Sequence, residues 1–184
     1  MHQQKHIKHL TDKEFKHKNV PEFNLSADEY SRMLDSVVIA NMDIILHKPN
    51  REVLLGQRTD KPLQGKLWIF GGRMKPGESI NSTAIRNIRR EVGVEVDEER
   101  LVFSDIYNIM WPGREEALQE HGFQTMMSIL KYECTPQEIE QAFITDNTHS
   151  QMRWYTQDEL RKLKEADELH PYLVTVLTDA GLLA

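Results

Sequence analysis

The residues with the clearest chemical promise sit in one short stretch: Gly72-RMKPG-Glu78-SINSTAI-Arg86-Asn87-Ile88-Arg89-Arg90-Glu91-Val92-Gly93-Val94. On a helix, positions 87 and 91 are i and i+4 and share one face, with position 90 alongside. A hard divalent cation held by carboxylate and carbonyl oxygens neutralises a diphosphate and orients its leaving group. Three carboxylates on such a face would hold two or three ions. Here Asn87 is neutral and Arg90 is cationic, so Glu91 alone remains and one metal is the expected count. Arg73 directly follows paired glycines at a tight turn, from which a guanidinium can grip phosphate oxygens as a fork; a plain surface arginine is the alternative. His149, in DNTHSQMRW, reads as a polar loop residue just before a strand. An imidazole with a pKa of about 6.5 suits deprotonation of water near neutrality, against the alternative of a solvated loop histidine. Asp43 lies in an otherwise apolar strand, where a carboxylate is unfavourable unless paired or used. Arg58 ends a strand, where a surface salt bridge competes with a substrate contact. Arg86 and Glu78 read as bracing groups, Glu78 lying near a helix N-terminus that favours negative charge.

The elements that must hold these groups follow from the hydrophobic pattern. Leu25–Asp35 opens with Ser26 and Glu29 in a capping-box spacing, then places Tyr30, Met33 and Leu34 at helical intervals. Ser36–His47 is rich in Val and Ile and reads as a strand; KPNRE turns the chain into a partner strand at Val53–Arg58. Leu67–Gly72 is a further short strand. Ile80, Ala84, Ile88 and Val92 form one apolar stripe of a helix over Ser79–Val92, closed by Gly93. Strands are expected near Leu101–Met110 and Thr125–Glu133, joined by the long connection Trp111–Gly122, a length often functional in a compact domain. A helical turn within Thr135–Ala142, a strand at Met152–Tyr155 and helices at Thr156–Glu165 and Pro171–Leu183 complete the pattern. This irregular alternation indicates an α/β or α+β mixed sheet.

Composition bounds the function classes. The chain has 184 residues, 39% hydrophobic and 28% charged, which supports a packed core without disulfide staples. Net charge is −6, which argues against a nucleic-acid-coating protein but not against a nucleotide substrate met by a few arginines and a metal. The lone Cys134 excludes cysteine-based zinc clusters. Mean hydropathy is −0.58, no apolar run approaches a membrane span, and the polar N-terminus lacks the apolar centre of a signal peptide. A cytoplasmic protein without membrane partners is expected. Residues 1–24 carry four histidines at irregular spacing and read as an N-terminal arm or extension, with residues 25–184 as the domain.

The stretch from Gly72 to Val94 resembles the Nudix box, matching it at Gly72, Glu78, Arg86, Ile88, Glu91, Gly93 and Val94, with Asn87 and Arg90 where that motif carries acids. LLGQRTDKPLQGKLWIFGGRMKPGE further resembles the GDP-mannose mannosyl hydrolase branch of that family, a similarity running from about Leu25 to Leu183. The resemblance implies a Nudix α/β/α sandwich and a Mg²⁺-dependent hydrolase that releases nucleoside diphosphate and free sugar, by attack of water on the anomeric carbon with inversion. It implies that Arg73 stabilises the departing β-phosphate, Glu91 and the Gly71 carbonyl bind magnesium, Asp43 and Arg58 hold sugar and nucleotide, and His149 acts as general base. It also implies a homodimer. Two positions depart from that branch: Thr148 stands where it has a magnesium-binding glutamine, and Met127 where it has a tyrosine. The competing expectations are the ordinary phosphoanhydride cleavage of the wider family and a nucleotide-binding domain without turnover. Trp111, Trp68 and Tyr107 are candidates for stacking on a base or sugar, or for the core.

Overall fold

In a computed structural model, residue 10 and residues 25–184 are described; the N-terminal arm, apart from Leu10, and its four histidines lie outside the described residues. The chain runs α1 (Ala27–Ser36), β1 (Ile39–His47), β2 (Val53–Arg58), β3 (Leu67–Trp68), β4 (Phe70–Arg73), α2 (Ile80–Val92), a 3-10 turn at Glu98–Arg100, β5 (Val102–Trp111), β6 (Phe123–Glu133), α3 (Pro136–Gln141), β7 (His149–Tyr155), α4 (Gln157–Glu165) and α5 (Pro171–Asp179). β1 pairs in parallel with β6 from Ile39↔Thr125 to His47↔Glu133, while β4 lies antiparallel on its other side, Asp43 facing Gly71. β5 is antiparallel to β6. β2 meets β1 at one pair, His47↔Val53, and otherwise pairs with β3 and β7. The expected β1–β2 hairpin therefore splays open beyond its turn.

Alternate side chains of β1 divide the core in two. Ile44 and Leu46 pack with Ala84, Ile88 and Val92 of α2, and Ile45 packs with Leu160 of α4 and Leu173, Val176 and Leu177 of α5. Helices thus cover both faces of a mixed sheet, the expected α/β/α sandwich. The run Leu67–Gly72 is broken at Ile69: its first half pairs with β2 and its second with β1. α5 ends at Asp179 and not at Leu183, because Gly181 turns left-handed (φ 72°) and the Leu182 and Leu183 amides return to the Leu177 carbonyl. β7 begins at His149, three residues before the expected strand.

Candidate active-site cleft

The Gly71–Gly72 pair opens a cleft of about 420 Å³, within the range of small-molecule sites. Glycine is required at 71 because a Cβ there would stand 2.3 Å from the Met42 carbonyl oxygen and 2.4 Å from Asp43 Oδ1. Without it, β4 could not lie so close to β1. α2 presents Asn87, Arg90 and Glu91 to this cleft. Its start is set by Ser79 and Ser82, each accepting from the other's backbone N–H, and its end by left-handed Gly93 (φ 70°).

Glu91 is 1% exposed. Its Oε2 accepts the Gly71 N–H at 2.9 Å and its Oε1 accepts from Arg90. Burial pushes its carboxyl up to about 8, against the pull of Arg90 and the Gly71 amide. Glu78 and Arg86 form the brace expected of them. Arg86 grips Glu78 with Nε and Nη2, at 2.5 and 2.8 Å, and donates to the Arg73 carbonyl at 3.0 Å. Thr83 Oγ1 and the Lys75 amide also donate to Glu78. Burial would raise the Glu78 carboxyl, but these donors outweigh it and hold it at about 2. The loop between Gly72 and α2 is thereby tied to the helix, which fixes where Arg73 leaves the sheet.

Arg73 lines the cleft with its guanidinium 4.1 Å from the centre of the Tyr30 ring of α1, a cation–π contact. Asp43 also lines the cleft, 5% exposed, and its Oδ2 accepts the Trp68 indole N–H at 3.1 Å. Its hydrogen-bond partner is thus an indole. Burial raises its carboxyl to about 6. Arg58 lines the cleft, donates to Asp60, and keeps a buried Nε without a hydrogen bond.

His149 differs most from its expected surroundings. It is the first residue of β7, opposite Arg58 of β2, and 3% exposed. Its ring lies 4.7 Å from that of Phe70, and a Cβ on Gly56 would collide with it at 2.5 Å. Thr148 Oγ1 stands 3.0 Å from its Nδ1 and donates to Asp146 Oδ1 at 2.7 Å. With that hydroxyl proton committed to Asp146, the oxygen accepts from Nδ1–H, which leaves Nε2 as the basic nitrogen; that atom is buried and unpartnered. Burial, with Arg58 and Arg90 nearby, lowers the imidazole to about 4. Thr148, and not His149, contributes to the cleft lining.

Trp68 and Trp111 serve both core and cleft: they are 4% and 7% exposed, meet edge to face at 5.9 Å, and line the cleft. Met127, 1% exposed, lines it too. Tyr107 does not; it donates to Asp179 at 2.8 Å. The Trp111–Gly122 connection forms a wall through Trp111, Arg114, Glu115 and Glu116. Arg114, fully buried, anchors it by donating to Asp35 at 2.7 Å, Ser31 Oγ at 2.9 Å and the Ala117 carbonyl. The sequence reading missed Arg114 and the cleft role of Tyr30; the length of the connection was the available signal.

The donor set suits one hard cation and not a cluster. Among the described residues, no three His, Cys, Asp or Glu side chains converge as a metal site. Yet Asn41 Oδ1 and Asp146 Oδ2 are buried oxygen acceptors without hydrogen bonds, Asn41 in the cleft itself, and Glu91 is a buried carboxylate that a cation would keep ionised.

The NUDIX domain family model matches residues 39–176. The chain belongs to the Nudix family. A Caenorhabditis elegans relative whose name places it among nudix hydrolases is 31% identical over 94 residues, covering 50% of this chain but only 26% of its own length. Among solved structures, a MutT NUDIX hydrolase from Burkholderia pseudomallei superposes with a TM-score of 0.62 at 15% identity, covering 78% of this chain and 98% of its own. A bifunctional NMN adenylyltransferase/ADP ribose pyrophosphatase from Francisella tularensis, complexed with AMP and a Mn ion, gives 0.59 at 18%, covering 83% and 46%. A C. elegans Ap4A hydrolase gives 0.52 at 18%, covering 78% and 96%. These likenesses establish the Nudix fold.

Proposed function

We propose that this Nudix domain is a Mg²⁺-dependent hydrolase of a nucleoside diphosphate sugar of the GDP-mannose type, releasing nucleoside diphosphate and free sugar. The observation that carries the reading is the cleft face of α2, where Asn87 and Arg90 flank a single carboxylate, Glu91. A multi-ion cluster that would activate water against phosphorus has too few carboxylates there. The cleft instead gathers fixed cations from a chain of net charge −6: Arg58, Arg73, Arg86, Arg90, Lys61 and Lys75. These suit a departing diphosphate.

In this reading Glu91, with the Gly71 carbonyl, would hold one Mg²⁺, which when bound supplies charge neutralisation to the diphosphate. Arg73 stabilises negative charge growing on the β-phosphate oxygen as its bond to the anomeric carbon breaks. Water attacks that carbon from the opposite face and its oxygen remains on the sugar. Its proton is assigned to His149 Nε2, the nitrogen left basic by the Thr148–Asp146 chain; that atom is buried behind the Thr148 lining, so this role requires the ring to turn toward the cleft. Asp43 and Arg58 hold the sugar and nucleotide. Phosphorus NMR of products from a panel of nucleotide sugars with Mg²⁺ tests this. GDP and free sugar are the expected products from GDP-mannose; a nucleoside monophosphate and a sugar phosphate would replace the reading with phosphoanhydride cleavage, and binding without product would replace it with a non-catalytic domain.

A further inference from the structure

We propose that the Arg90 guanidinium is a resident cation of the cleft floor: it neutralises Glu91 and Asp146 in place of a second divalent ion, so that the site takes a diphosphate with no more than one metal. The inference rests on the diphosphate-binding reading above. Arg90 Nη2 donates to Glu91 Oε1 and, at 3.4 Å, to Asn87 Oδ1, while Nη1 lies 3.5 Å from Asp146 Oδ2. One guanidinium therefore meets an oxygen of each of these three residues, two of which line the cleft.

Each carboxylate has one oxygen bonded elsewhere, Glu91 Oε2 by the Gly71 N–H and Asp146 Oδ1 by the Thr148 N–H and hydroxyl, and Arg90 meets the other oxygen of each. The Glu91 side chain is 1% exposed and that of Asp146 16%, and Asp146 Oδ2 has no hydrogen bond. Removing the cation would leave a buried carboxylate at Glu91 and a half-buried one at Asp146 without their shared positive charge, which is destabilising. Asp146 is held there by design of the chain: the loop before it is tied to the end of α2 by the Thr145 N–H to the Glu91 carbonyl at 3.1 Å, the Phe143 N–H to the Val92 carbonyl at 3.1 Å, and the Thr145 hydroxyl to the Arg90 carbonyl. Arg90 itself is 47% exposed and lines the cleft, so its guanidinium reaches the space a phosphate would enter. A guanidinium is permanently charged, bonds phosphate through paired N–H groups, and does not dissociate as an ion does.

Binding of Mn²⁺ alone to the full chain, counted by electron paramagnetic resonance, tests the first half. No more than one ion per wild-type chain is expected, a second in Arg90→Glu, and the wild-type count in Arg90→Lys. Two ions in the wild type, or an unchanged count in Arg90→Glu, would overturn it. Calorimetry with inorganic pyrophosphate in excess EDTA tests the second half and decides the matter should Arg90→Glu not fold. The wild type should still bind, and Arg90→Gln should bind about tenfold or more weakly, the loss of one charge-assisted hydrogen bond. No binding by the wild type, or equal binding by the variant, would overturn it. Neither measurement reads which bond is cleaved, so failure here and failure of the sugar-hydrolase reading are separable.

Discussion

At the scale of single residues, burial reorders the acid–base groups. Asp43 and Glu91 are pushed up to about 6 and 8, while His149 falls to about 4. In the proposed role as base, an imidazole with so low a pKa is weak but stays neutral across the physiological range. Two predictions follow from this single side chain. His149→Gln should lower kcat by about 10²–10⁴ with little change in KM, the usual size of general-base catalysis; full activity would remove the role. The acid limb of the wild-type kcat profile should lie near pH 4 and not near 6.5. The same shift affects stability. The unfolded imidazole takes up a proton below about pH 6.5, the folded one only near 4, so the His149 contribution is complete above 6.5 and lost as pH falls toward 4. Denaturant midpoints of wild type and His149→Gln should therefore converge across that window on acidification, and parallel curves would contradict the burial account. Arg73→Gln should cost activity comparably to His149→Gln, because in the proposed mechanism the charge that Arg73 meets grows toward the transition state.

At the scale of elements, α2 and the loop before it form the platform of the site. The stripe Ile80, Ala84, Ile88, Val92 made this helix legible, and capping at Ser79 and Gly93 fixed its ends. Ile88→Ala should destabilise the fold by about 2–5 kcal/mol, since the side chain is fully buried between α2 and the sheet. Glu78→Gln should weaken the loop–helix brace by about 2 kcal/mol at neutral pH. The Glu78 carboxyl is held at about 2 when folded, so its contribution is present above the ordinary glutamate pKa of about 4.3 and disappears as pH falls toward 2. Thermal unfolding should show the variant's full deficit at pH 7 and a steadily smaller one as pH falls from about 4 toward about 2. Less legible were the elements whose partners lie far along the chain. Leu67–Gly72 looks like one strand, yet Gly56 and Asp43 recruit its two halves to different neighbours. The splayed β1–β2 hairpin has the same origin, because β1 has β6 and β4 as partners on its two sides.

At the scale of the molecule, one mixed sheet between helices brings together Asp43, Arg58, Arg73, Asn87, Arg90 and Glu91 from four elements. The sequence singled these residues out as candidates. Their partners depend on tertiary register. Nothing in DNTHSQMRW indicates that His149 starts a buried strand opposite Arg58. Nor does adjacency suggest that Arg90 turns back onto Glu91, since neighbours at i, i+1 on a helix do not ordinarily face each other. Among the described residues, no helix is long and apolar enough to cross a membrane. Cations fixed along the cleft, with one carboxylate on α2, make the central claim that water attacks carbon and not phosphorus. Hydrolysis of GDP-mannose in ¹⁸O-labelled water, with mass spectrometry of both products, tests that claim most directly. The account predicts the label on the sugar and none on the GDP phosphates; label in a phosphate would contradict it.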